Sequence, residues 1–595
     1  MSQDISFSGG FPAGNFVVPG TCFVPGCEHS ATDTAGLHGA ACREPAGRDP
    51  VLRNLYLTAA LGEIPRLLGA VDRNPYRSTY GCMDRQYWHY RTSSFPSEMY
   101  QEGVLPLALV YAQKLPGNRW YHHARVRELA VAGIRFAAGS CHPDGSCDDY
   151  YPFERALGAA VFSLQAAAEA YRILELDDAE LRGWLERRGR WLIRHDEAGR
   201  LANHQAMAAL GLIRLAQITE KQEYYAAAET RIARLLQWQS EEGWFEEYGG
   251  ADPGYHTLTI DCLAKIRKLT GRVDLDEPLR RAVRFAHLFL HPDGSYGGEY
   301  GSRGTYHFQP HGMELLAAGS AEAADLAEGF LRGVAAGKQA AFSDDRMFAH
   351  RLGNLIEAYL DWSPSKPPPL GQPQVEPAEY LPHARLLVRR GPRTHTIISA
   401  ARGGVFKHFA ARDSVVTDAG LIVETADGRV AVSQMHDLGR SVELTGDGQQ
   451  SESRTLRVSG PLHWSRFETA TPIKQALFHT GMWTVGRWSR TLVRRRLQRR
   501  LITAPDRAPV RLTRTFELLT PQEATGGPAL RVRDTIELTR PGIRVKRMSF
   551  GTDHQTAYVA ACGVYQDGVL EPWTDLRSQV DQLNADRRVT VVREL

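Results

Sequence analysis

The segment SPSKPPPLGQPQVEP, residues 363–377, separates two parts of the chain whose sequence patterns differ. Its six prolines fix the backbone φ angle and lack an N–H donor. The segment therefore cannot continue a helix and should run as an extended spacer. We predict a proline-rich linker over residues 363–378, which joins one domain at residues 49–362 to a second domain at residues 379–595.

Helical periodicity dominates the part of the chain before the linker. Apolar residues recur there at i, i+3, i+4 and i+7, and loops such as HPDGS (142–146) and HPDGSYGG (291–298) interrupt the pattern. About a dozen helices with short loops predict stacked helical hairpins, arranged as a solenoid or as a closed α/α toroid. The two related loops and the aromatic residues in the loops favour a toroid with a cleft at one end. The predicted helices include residues 51–68, 98–115, 120–138, 155–174, 180–195, 204–218, 222–239, 257–270 and 278–290.

Beyond the linker, apolar and polar residues alternate. Segments such as GLIVET (420–425) and LRVRDTIEL (530–538) are typical of β-strands, and Asp427 with Gly428 is a two-residue hairpin signal. This part should form an antiparallel β-sandwich. The first 48 residues are rich in Gly, Pro, Ser and Thr and should form an irregular arm. The predicted fold class is multidomain α+β, with an N-terminal α/α toroid followed by an antiparallel β-sandwich.

Composition sets the broad class of protein. A chain of 595 residues with 43% hydrophobic and 23% charged residues is typical of globular proteins, and it is unlike collagen, a coiled coil or a disordered chain. The 71 Lys and Arg nearly balance the 68 Asp and Glu, which argues against a dedicated nucleic-acid binder. Neither Cys22 with Cys27 nor Cys141 with Cys147 completes a zinc-ribbon pattern, so buried free thiols are expected.

The sequence also bears on location. No 18 consecutive apolar residues occur, and the N-terminus lacks the basic and apolar regions of a signal peptide. We expect a cytoplasmic protein, or a periplasmic or secreted one if the sequence is a processed form.

A basic run, GRWSRTLVRRRLQRRL at residues 486–501, lies in a stretch without acidic residues between Glu468 and Asp506. The run could steer an anionic polymer toward a cleft, or bind a membrane surface or another protein. The alternative is a solvated face whose arginine stems cover apolar surface.

Two loops combine aromatic and polar residues in a way that suits sugar binding. Residues 82–103 and residues 293–312 offer rings that can stack on sugars and arginines that can grip carboxylates. The alternative for the first loop is ordinary packing at a helix start. The predicted substrate-binding residues are Arg85, Tyr87, Trp88, Tyr90, Gln101, Glu102, Glu299, Arg303, Tyr306 and His307.

Two helix starts provide candidate catalytic residues. Asn203 should be the N-cap of one helix, with His204 in the first turn, where backbone N–H groups favour an anion such as a substrate carboxylate. Plain capping by Asn203 is the alternative. Tyr255 begins the next long helix after a loop shaped by glycines and Pro253, and it could equally pack.

A toroid followed by a β-sandwich, with Asn203 and His204 opening one helix and ADPGYHTL (251–258) before the next, resembles the heparinase II/III-like and oligoalginate-type polysaccharide lyases. The resemblance covers most of residues 50–595 as architecture and a handful of residues as motif. It implies that Asn203 and His204 match the family's Asn-His pair and that Tyr255 is its catalytic tyrosine.

The resemblance has a gap in the β-domain. The family usually carries a His-Gly-His-like stretch and a following Asp, whereas this chain has KHFAARDSVVTDAGLIVE at residues 407–424. The resemblance implies that His408 replaces the sandwich histidine as a catalytic residue, with Asp418 and His436 as ligands of a structural zinc or another divalent metal. We expect no cofactor to be required.

These residues meet the demands of β-elimination at a uronic acid. The carboxylate must be neutralised, a base must remove the C5 proton, and an acid must protonate the departing C4 oxygen. Asn203 with Arg85 or Arg303 could hold the carboxylate, and His204 and Tyr255 could share the base and acid roles. A tyrosine can do both if nearby cations lower the pKa of its phenol.

The leading interpretation is a lyase that cleaves uronic-acid-containing polysaccharides or oligosaccharides. One alternative is a glycoside hydrolase that uses two carboxylates on the same toroid. Another is a non-catalytic glycan-binding protein of an exopolysaccharide pathway. The expected partner is an acidic glycan and not a nucleic acid, and a homodimer is left open. The carboxylates considered for hydrolysis are Glu98, Glu102, Glu154, Glu246, Glu247 and Glu299.

Overall fold

The computed structural model describes residues 46–197, 199–342, 346–368, 378–391, 394–411, 414–446, 454–465, 471–486, 506–519, 529–553 and 568–595, with Gln566 and a few positions between 488 and 496. Residues 1–45 of the predicted arm, residues 369–377 of the predicted linker and most of the basic run lie outside the described residues.

Helices make up nearly all of the regular structure before the linker. In the described part of the chain they are α1 (Pro50–Ala70), α2 (Arg85–Trp88), α3 (Val104–Ala112), α4 (Ala124–Ser140), α5 (Leu157–Ile173), α6 (Ala179–Arg194), α7 (Ala202–Thr219), α8 (Gln222–Gln237), α9 (Pro253–Thr270), α10 (Asp276–His287), α11 (Pro310–Ala317), α12 (Ala321–Ala335) and α13 (Phe348–Leu360). Short 3₁₀ helices cover Glu98–Gly103 and Val273–Leu275.

The helices close into a double ring. In the inner ring α3, α5, α7, α9, α11 and α13 each contact the next, and α13 returns to α3. Each inner helix pairs with an outer one, namely α4, α6, α8, α10, α12 and α1. Inner helices are buried on most sides, and the small side chains of the alanine-rich α5 permit close packing there. The closed ring distinguishes a toroid from a solenoid.

Strands dominate the second part. They are β1 (Ala46–Gly47) and β2 (Ser365–Lys366), which pair with each other, then β3 (Glu379–Leu381), β4 (Leu386–Arg390), β5 (His395–Ser399), β6 (Val405–Ala411), β7 (Ser414–Asp418), β8 (Leu421–Thr425), β9 (Val430–Val432), β10 (Ser441–Thr445), β11 (Arg454–Trp464), β12 (Arg507–Leu518), β13 (Leu530–Leu538), β14 (Val545–Phe550), β15 (Thr574–Asp575) and β16 (Arg588–Glu594). Helix α14 (Pro472–Gly481) and a π-helical turn (Met482–Gly486) follow β11, and α15 (Arg577–Asp586) precedes β16.

Two antiparallel sheets form the sandwich. The smaller has the order β3-β4-β5-β6-β7, and the larger has the order β15-β14-β8-β9-β11-β12-β13-β16, with β10 beside β11. One face of the smaller sheet, with Ile398 and Phe406, packs on Phe516 of the larger sheet. The opposite face, with Ile397 and Val405, joins the core of the toroid. The smaller sheet therefore lies between the toroid and the larger sheet.

The predicted fold class, an α/α toroid followed by an antiparallel β-sandwich, is confirmed. Strands β8 and β9 form a hairpin around Asp427 and Gly428 as predicted, but its loop is longer than the predicted two residues. Gly428 has a φ of 80°, in the left-handed region that glycine favours. Helix α9 begins at Pro253, before the predicted start, because proline suits the first helical turn and Asp252 supplies the N-cap. Among the described residues, no helix is long and apolar enough to cross a membrane.

Candidate active site

A cleft of about 630 Å³ opens where the inner helices of the toroid begin. The first residues of α5, α7 and α9 and the segment before α13 meet there, because alternate helices of the ring run in the same direction. Several helix N-termini at one place favour a negatively charged ligand. The lining residues are Met99, Asp149, Tyr150, Glu154, Ala156, Gly158, Ala159, Phe162, Leu201, Asn203, His204, Tyr248, Tyr255, Arg303, Arg346 and Met347.

Asn203 lies in the first turn of α7 and is almost fully buried at the wall of the cleft. The prediction that Asn203 is the N-cap is wrong, because the cap position is Leu201. Glu247, from a neighbouring loop, accepts hydrogen bonds from the backbone nitrogen of Asn203 at 2.9 Å and from its Nδ2 at 2.7 Å. One carboxyl oxygen therefore binds both the backbone and the side chain of Asn203 at the wall of the cleft.

Glu247 is fully buried behind Asn203. Burial raises the pKa of Glu247 from 4.5 to about 8, against the opposing effect of the hydrogen bonds from Asn203 and the charge of Arg303. The carboxyl is therefore protonated at neutral pH. Its Oε2 and the Oδ1 of Asn203 have no hydrogen-bond partner within the described residues.

His204 follows Asn203 on α7, and its ring is half-buried in the cleft. Its Nδ1 lies 2.8 Å from Oε2 of Glu197, which favours the tautomer with the proton on Nδ1 and leaves the lone pair on Nε2. Gly158 of α5 makes room for the ring, since a Cβ added there would lie 2.9 Å from Cε1 of His204.

Tyr255 and Arg303 are held together by one carboxylate. Asp252, the N-cap of α9, accepts hydrogen bonds from the backbone nitrogen of Tyr255 at 3.0 Å and from that of Arg303 at 2.9 Å. The Arg303 guanidinium lies over the ring of Tyr248 at 4.2 Å and 5.5 Å from the centre of the Tyr255 ring. The ring of His307 contacts Tyr255 edge-on at 5.6 Å.

Arg346 adds a second positive charge at the cleft wall. It forms an ion pair with Asp149 at 3.1 Å and lies 4.1 Å over the ring of Tyr150. The negative charge of Asp149 helps to raise the pKa of Arg346 despite the opposing effect of burial. Sequence reasoning missed both Arg346 and Asp149, although Asp149 directly precedes the aromatic residues Tyr150 and Tyr151.

Arg85 lines a second pocket, of about 770 Å³, next to the cleft. Arg66 and Arg346 also line it, so Arg346 is shared by the two cavities. Tyr90, which is largely exposed, lies against Arg85 with its ring 5.0 Å from the guanidinium carbon. Within the described residues, Arg85 has no carboxylate within ion-pair distance and its Nε has no hydrogen-bond partner.

Other residues of the 82–103 segment have structural contacts. The Trp88 indole donates to the backbone of Ala70 at 2.8 Å, and the ring of Tyr87 packs beside Phe136 at 6.4 Å. Gln101 is buried and bridges backbone groups of Met83, Gly81 and Gly133. These bonds engage the Gln101 amide within the fold, and a substrate-binding role for Gln101 stays a prediction that they do not support.

Four of the predicted substrate-binding residues are buried and are not among the residues that line the cleft. They are Glu102, Glu299, Tyr306 and His307. Glu102 lies 2.8 Å from a ring nitrogen of His350. Glu299 contacts Tyr306 and forms an ion pair with Lys407. His307 contacts Arg351. Among the described residues, these four form a supporting layer and do not line the cleft.

His408 does not face the toroid. Strand alternation places it on the same face of β6 as Phe406, whose ring packs in the interior of the sandwich. Its Nδ1 lies 2.8 Å from Thr396 Oγ1, and burial lowers its pKa to about 4. These contacts do not support a catalytic role for His408, which stays a prediction. Its neighbour Lys407 is the residue of β6 that reaches Glu299 of the toroid.

The predicted metal ligands have cationic surroundings. Asp418 accepts from Arg514 at 2.9 Å and from Arg593 at 2.7 Å, so both its oxygens are engaged. The charges of Arg402 and Arg440 add to burial in lowering the pKa of His436 to about 4. Such surroundings repel a divalent cation, and the described residues contain no group of three or more His, Cys, Asp or Glu that could hold one. The assignment of Asp418 and His436 as ligands stays a prediction that these surroundings do not support.

Comparison with known proteins finds likeness at the level of fold. No family model and no curated protein matches the sequence. The chain is similar to Paenibacillus xanthan lyase (11% identity, 85% of this chain and 46% of that chain, TM-score 0.47). It is also similar to Streptomyces coelicolor A3 chondroitin AC lyase (12% identity, 85% of this chain and 71% of that chain, TM-score 0.46).

About half of the chain is similar to unsaturated glucuronyl hydrolase from Bacillus sp. GL1 (14% identity, 52% of this chain and 96% of that chain, TM-score 0.36). The chain spans about half the length of the xanthan lyase chain. Likeness at these identities and TM-scores assigns neither an activity nor a substrate to this protein.

Proposed function

We propose that the protein is a lyase that cleaves uronic-acid-containing polysaccharides or oligosaccharides by β-elimination. One observation carries the proposal: the cleft gathers an amide, an imidazole, a phenol and a guanidinium, from Asn203, His204, Tyr255 and Arg303. These are the groups that carboxylate neutralisation and proton transfer require.

The first requirement is to neutralise the substrate carboxylate. The Nδ2 of Asn203 has two hydrogens and donates one to Glu247, so the second can be donated to a carboxylate in the cleft. Arg303 supplies positive charge on the same wall. Because Glu247 is protonated at neutral pH, it adds no negative charge behind the substrate.

The second requirement is proton transfer. A base removes the C5 proton, the electron pair forms the C4–C5 double bond, the C4–O bond breaks, and an acid protonates the departing oxygen. Tyr255, which lies near the charges of Arg303 and Arg346, is suited to one or both transfers. The Nε2 of His204 offers a second base whose tautomer is set by Glu197.

The pocket beside the cleft suits a neighbouring sugar of the chain. Arg85 and Arg66 provide positive charge there, and Tyr100 and Phe348 provide aromatic surface. Because Arg346 is common to both cavities, a glycan held at Tyr255 can continue past Arg346 toward Arg85.

The hydrolase alternative has less support. Of its six candidate carboxylates, Glu154 is the one that lines the cleft. Glu98 pairs with the buried Arg188 at 2.6 Å, and Glu246 pairs with Arg200 at 2.8 Å. Glu154 itself accepts from the backbone nitrogen of Tyr150 at 2.7 Å.

The test is incubation of the full chain with a panel of uronate polymers and oligomers. We expect the ultraviolet absorbance of a 4,5-unsaturated uronate to appear. New reducing ends without that absorbance would contradict the lyase proposal and favour hydrolysis. Binding without either signal would favour a non-catalytic glycan-binding protein.

Tyr255→Phe tests the assignment within the same assay. The substitution removes only the phenolic oxygen, so we expect turnover to fall by about 10²-fold or more, as loss of acid–base catalysis requires, with substrate binding largely kept. Tyr76→Phe is the matched control, because Tyr76 is almost fully exposed and does not line the cleft. Full activity of Tyr255→Phe would remove Tyr255 from the mechanism.

A further inference from the structure

An insertion between β11 and β12 exposes an unusual amount of apolar surface. We call residues 471–496 the interfacial segment; its described part contains α14 and the π-helical turn. Each of the large apolar side chains named next is more than half exposed. They are Ile473, Leu477, Trp483, Val485, Trp488 and Leu492. Grouped apolar exposure of this kind marks a surface that interacts with something else.

The interfacial segment is also strongly basic. From the sequence alone, residues 471–496 contain Lys474, five arginines and no acidic residue. The positive charge of these arginines follows from the sequence, although most of them lie outside the described residues. The local charge is therefore far from the near-neutral balance of the whole chain.

Aromatic contacts attach the segment to the toroid. The ring of Phe478 meets Tyr151 at 5.3 Å, and the ring of Trp483 meets Phe153 at 5.0 Å. These toroid residues belong to the loop whose neighbours Tyr150 and Glu154 line the cleft. The segment thus has one anchored side, and the side chains of Ile473, Leu477 and Trp488 remain largely exposed to solvent.

Aliphatic side chains, tryptophan and arginine together match the chemistry of an anionic bilayer surface. Apolar side chains enter the boundary between headgroups and acyl chains, tryptophan prefers that depth, and arginine pairs with phosphate. A glycan would use the aromatic rings but would leave Ile473, Leu477 and Leu492 unused. A second copy of the segment would bring two basic stretches together.

We propose that the interfacial segment docks the protein on the surface of an anionic phospholipid membrane. The docking is peripheral, because the segment lies on the surface and no described helix is long and apolar enough to cross a bilayer. The mouth of the cleft then lies near the membrane, because the same loop contacts the segment and lines the cleft.

The test is sedimentation of the full chain with vesicles of phosphatidylcholine alone or mixed with phosphatidylglycerol. We expect binding to the mixed vesicles, a decrease with added salt, and little binding to phosphatidylcholine alone. Trp488→Ser should weaken binding by about tenfold, because it removes a large apolar group from the docking face. Trp573→Ser is the matched control, since Trp573 is also partly exposed but lies outside the segment.

Other outcomes would overturn this proposal. These are equal binding of wild type and Trp488→Ser, binding of an acidic glycan at the segment without vesicle binding, or self-association that Trp488→Ser abolishes without vesicle binding. The lyase proposal is tested separately, because Trp488 is not among the lining residues of the cleft and its variant should keep full activity on short oligomers.

Discussion

Glu247→Gln tests the electrostatics of the site through the stability of the protein. The pKa of Glu247 is raised by burial from 4.5 to about 8, so the folded protein keeps a proton that the unfolded chain has lost. Stability must therefore fall as pH rises from about 4.5 to about 8, and it levels off above that. Glutamine mimics the protonated carboxyl and should be insensitive to pH over this range.

The size of the effect follows from the pKa interval. At about 1.4 kcal/mol per pH unit, the raised pKa of Glu247 lowers the free energy of unfolding, relative to its value at low pH, by about 5 kcal/mol above pH 8 and by about 3 kcal/mol at pH 7. These values are upper bounds, because the structure can relax around the new charge. For a chain of this length, about 5 kcal/mol corresponds to a difference of about 4 °C in Tm.

The assay is thermal unfolding of wild type and Glu247→Gln between pH 5 and pH 9. We expect similar Tm values near pH 5 and a growing advantage for the variant toward pH 9, since the carbonyl oxygen of a glutamine side chain can still accept both hydrogen bonds from Asn203. The activity of the wild type should also fall toward pH 9, because an ionised Glu247 would oppose binding of a substrate carboxylate at Asn203. A Tm difference that does not change with pH would refute the assignment of a buried, protonated Glu247.

Two glycine substitutions test the geometry of the cleft. In Gly254→Ala the new Cβ would lie 2.1 Å from Thr305 Oγ1, so the first turn of α9 must shift, and kcat/KM should fall by about tenfold or more with a lowered Tm. In Gly158→Ala the Cβ would press on the ring of His204, so kcat should fall while Tm changes little. Gly62→Ala, which meets no atom within 4 Å, is the control for both and should leave activity and Tm unchanged; an equal loss in the control would contradict both.

Most of the architecture could be predicted from local patterns. The helical period before residue 363 and the alternation after residue 378 identify a helical part and a β-part, because each period matches a backbone geometry that places apolar residues on one side. The hairpin at Gly428 follows from the backbone freedom of glycine. The start of α9 was missed by a few residues, because local patterns define helix ends less well than helix interiors.

The site could be predicted only in part. Asn203, His204, Tyr255 and Arg303 were identified at helix starts and in one long loop, and the structure brings them to one cleft. Arg346 was not identified, because its role depends on the closing of the ring between α13 and α3.

The placement of His408 could not be predicted from the sequence. Alternation along β6 predicts that neighbouring residues face opposite sides, but not which side meets the toroid. That choice depends on how the smaller sheet packs, and it places Lys407 against Glu299 while His408 faces the sandwich interior.

The sequence by itself determined the two kinds of secondary structure and the residue types available for acid–base chemistry. These properties depend on backbone geometry and on spacing along the chain. Only the tertiary structure decided that the helices close into a ring, that Arg346 joins Tyr255 and Arg303, and that Glu247 keeps its proton. Proximity and burial arise from contacts between residues distant in sequence, and they set the charge and orientation of the groups in the cleft.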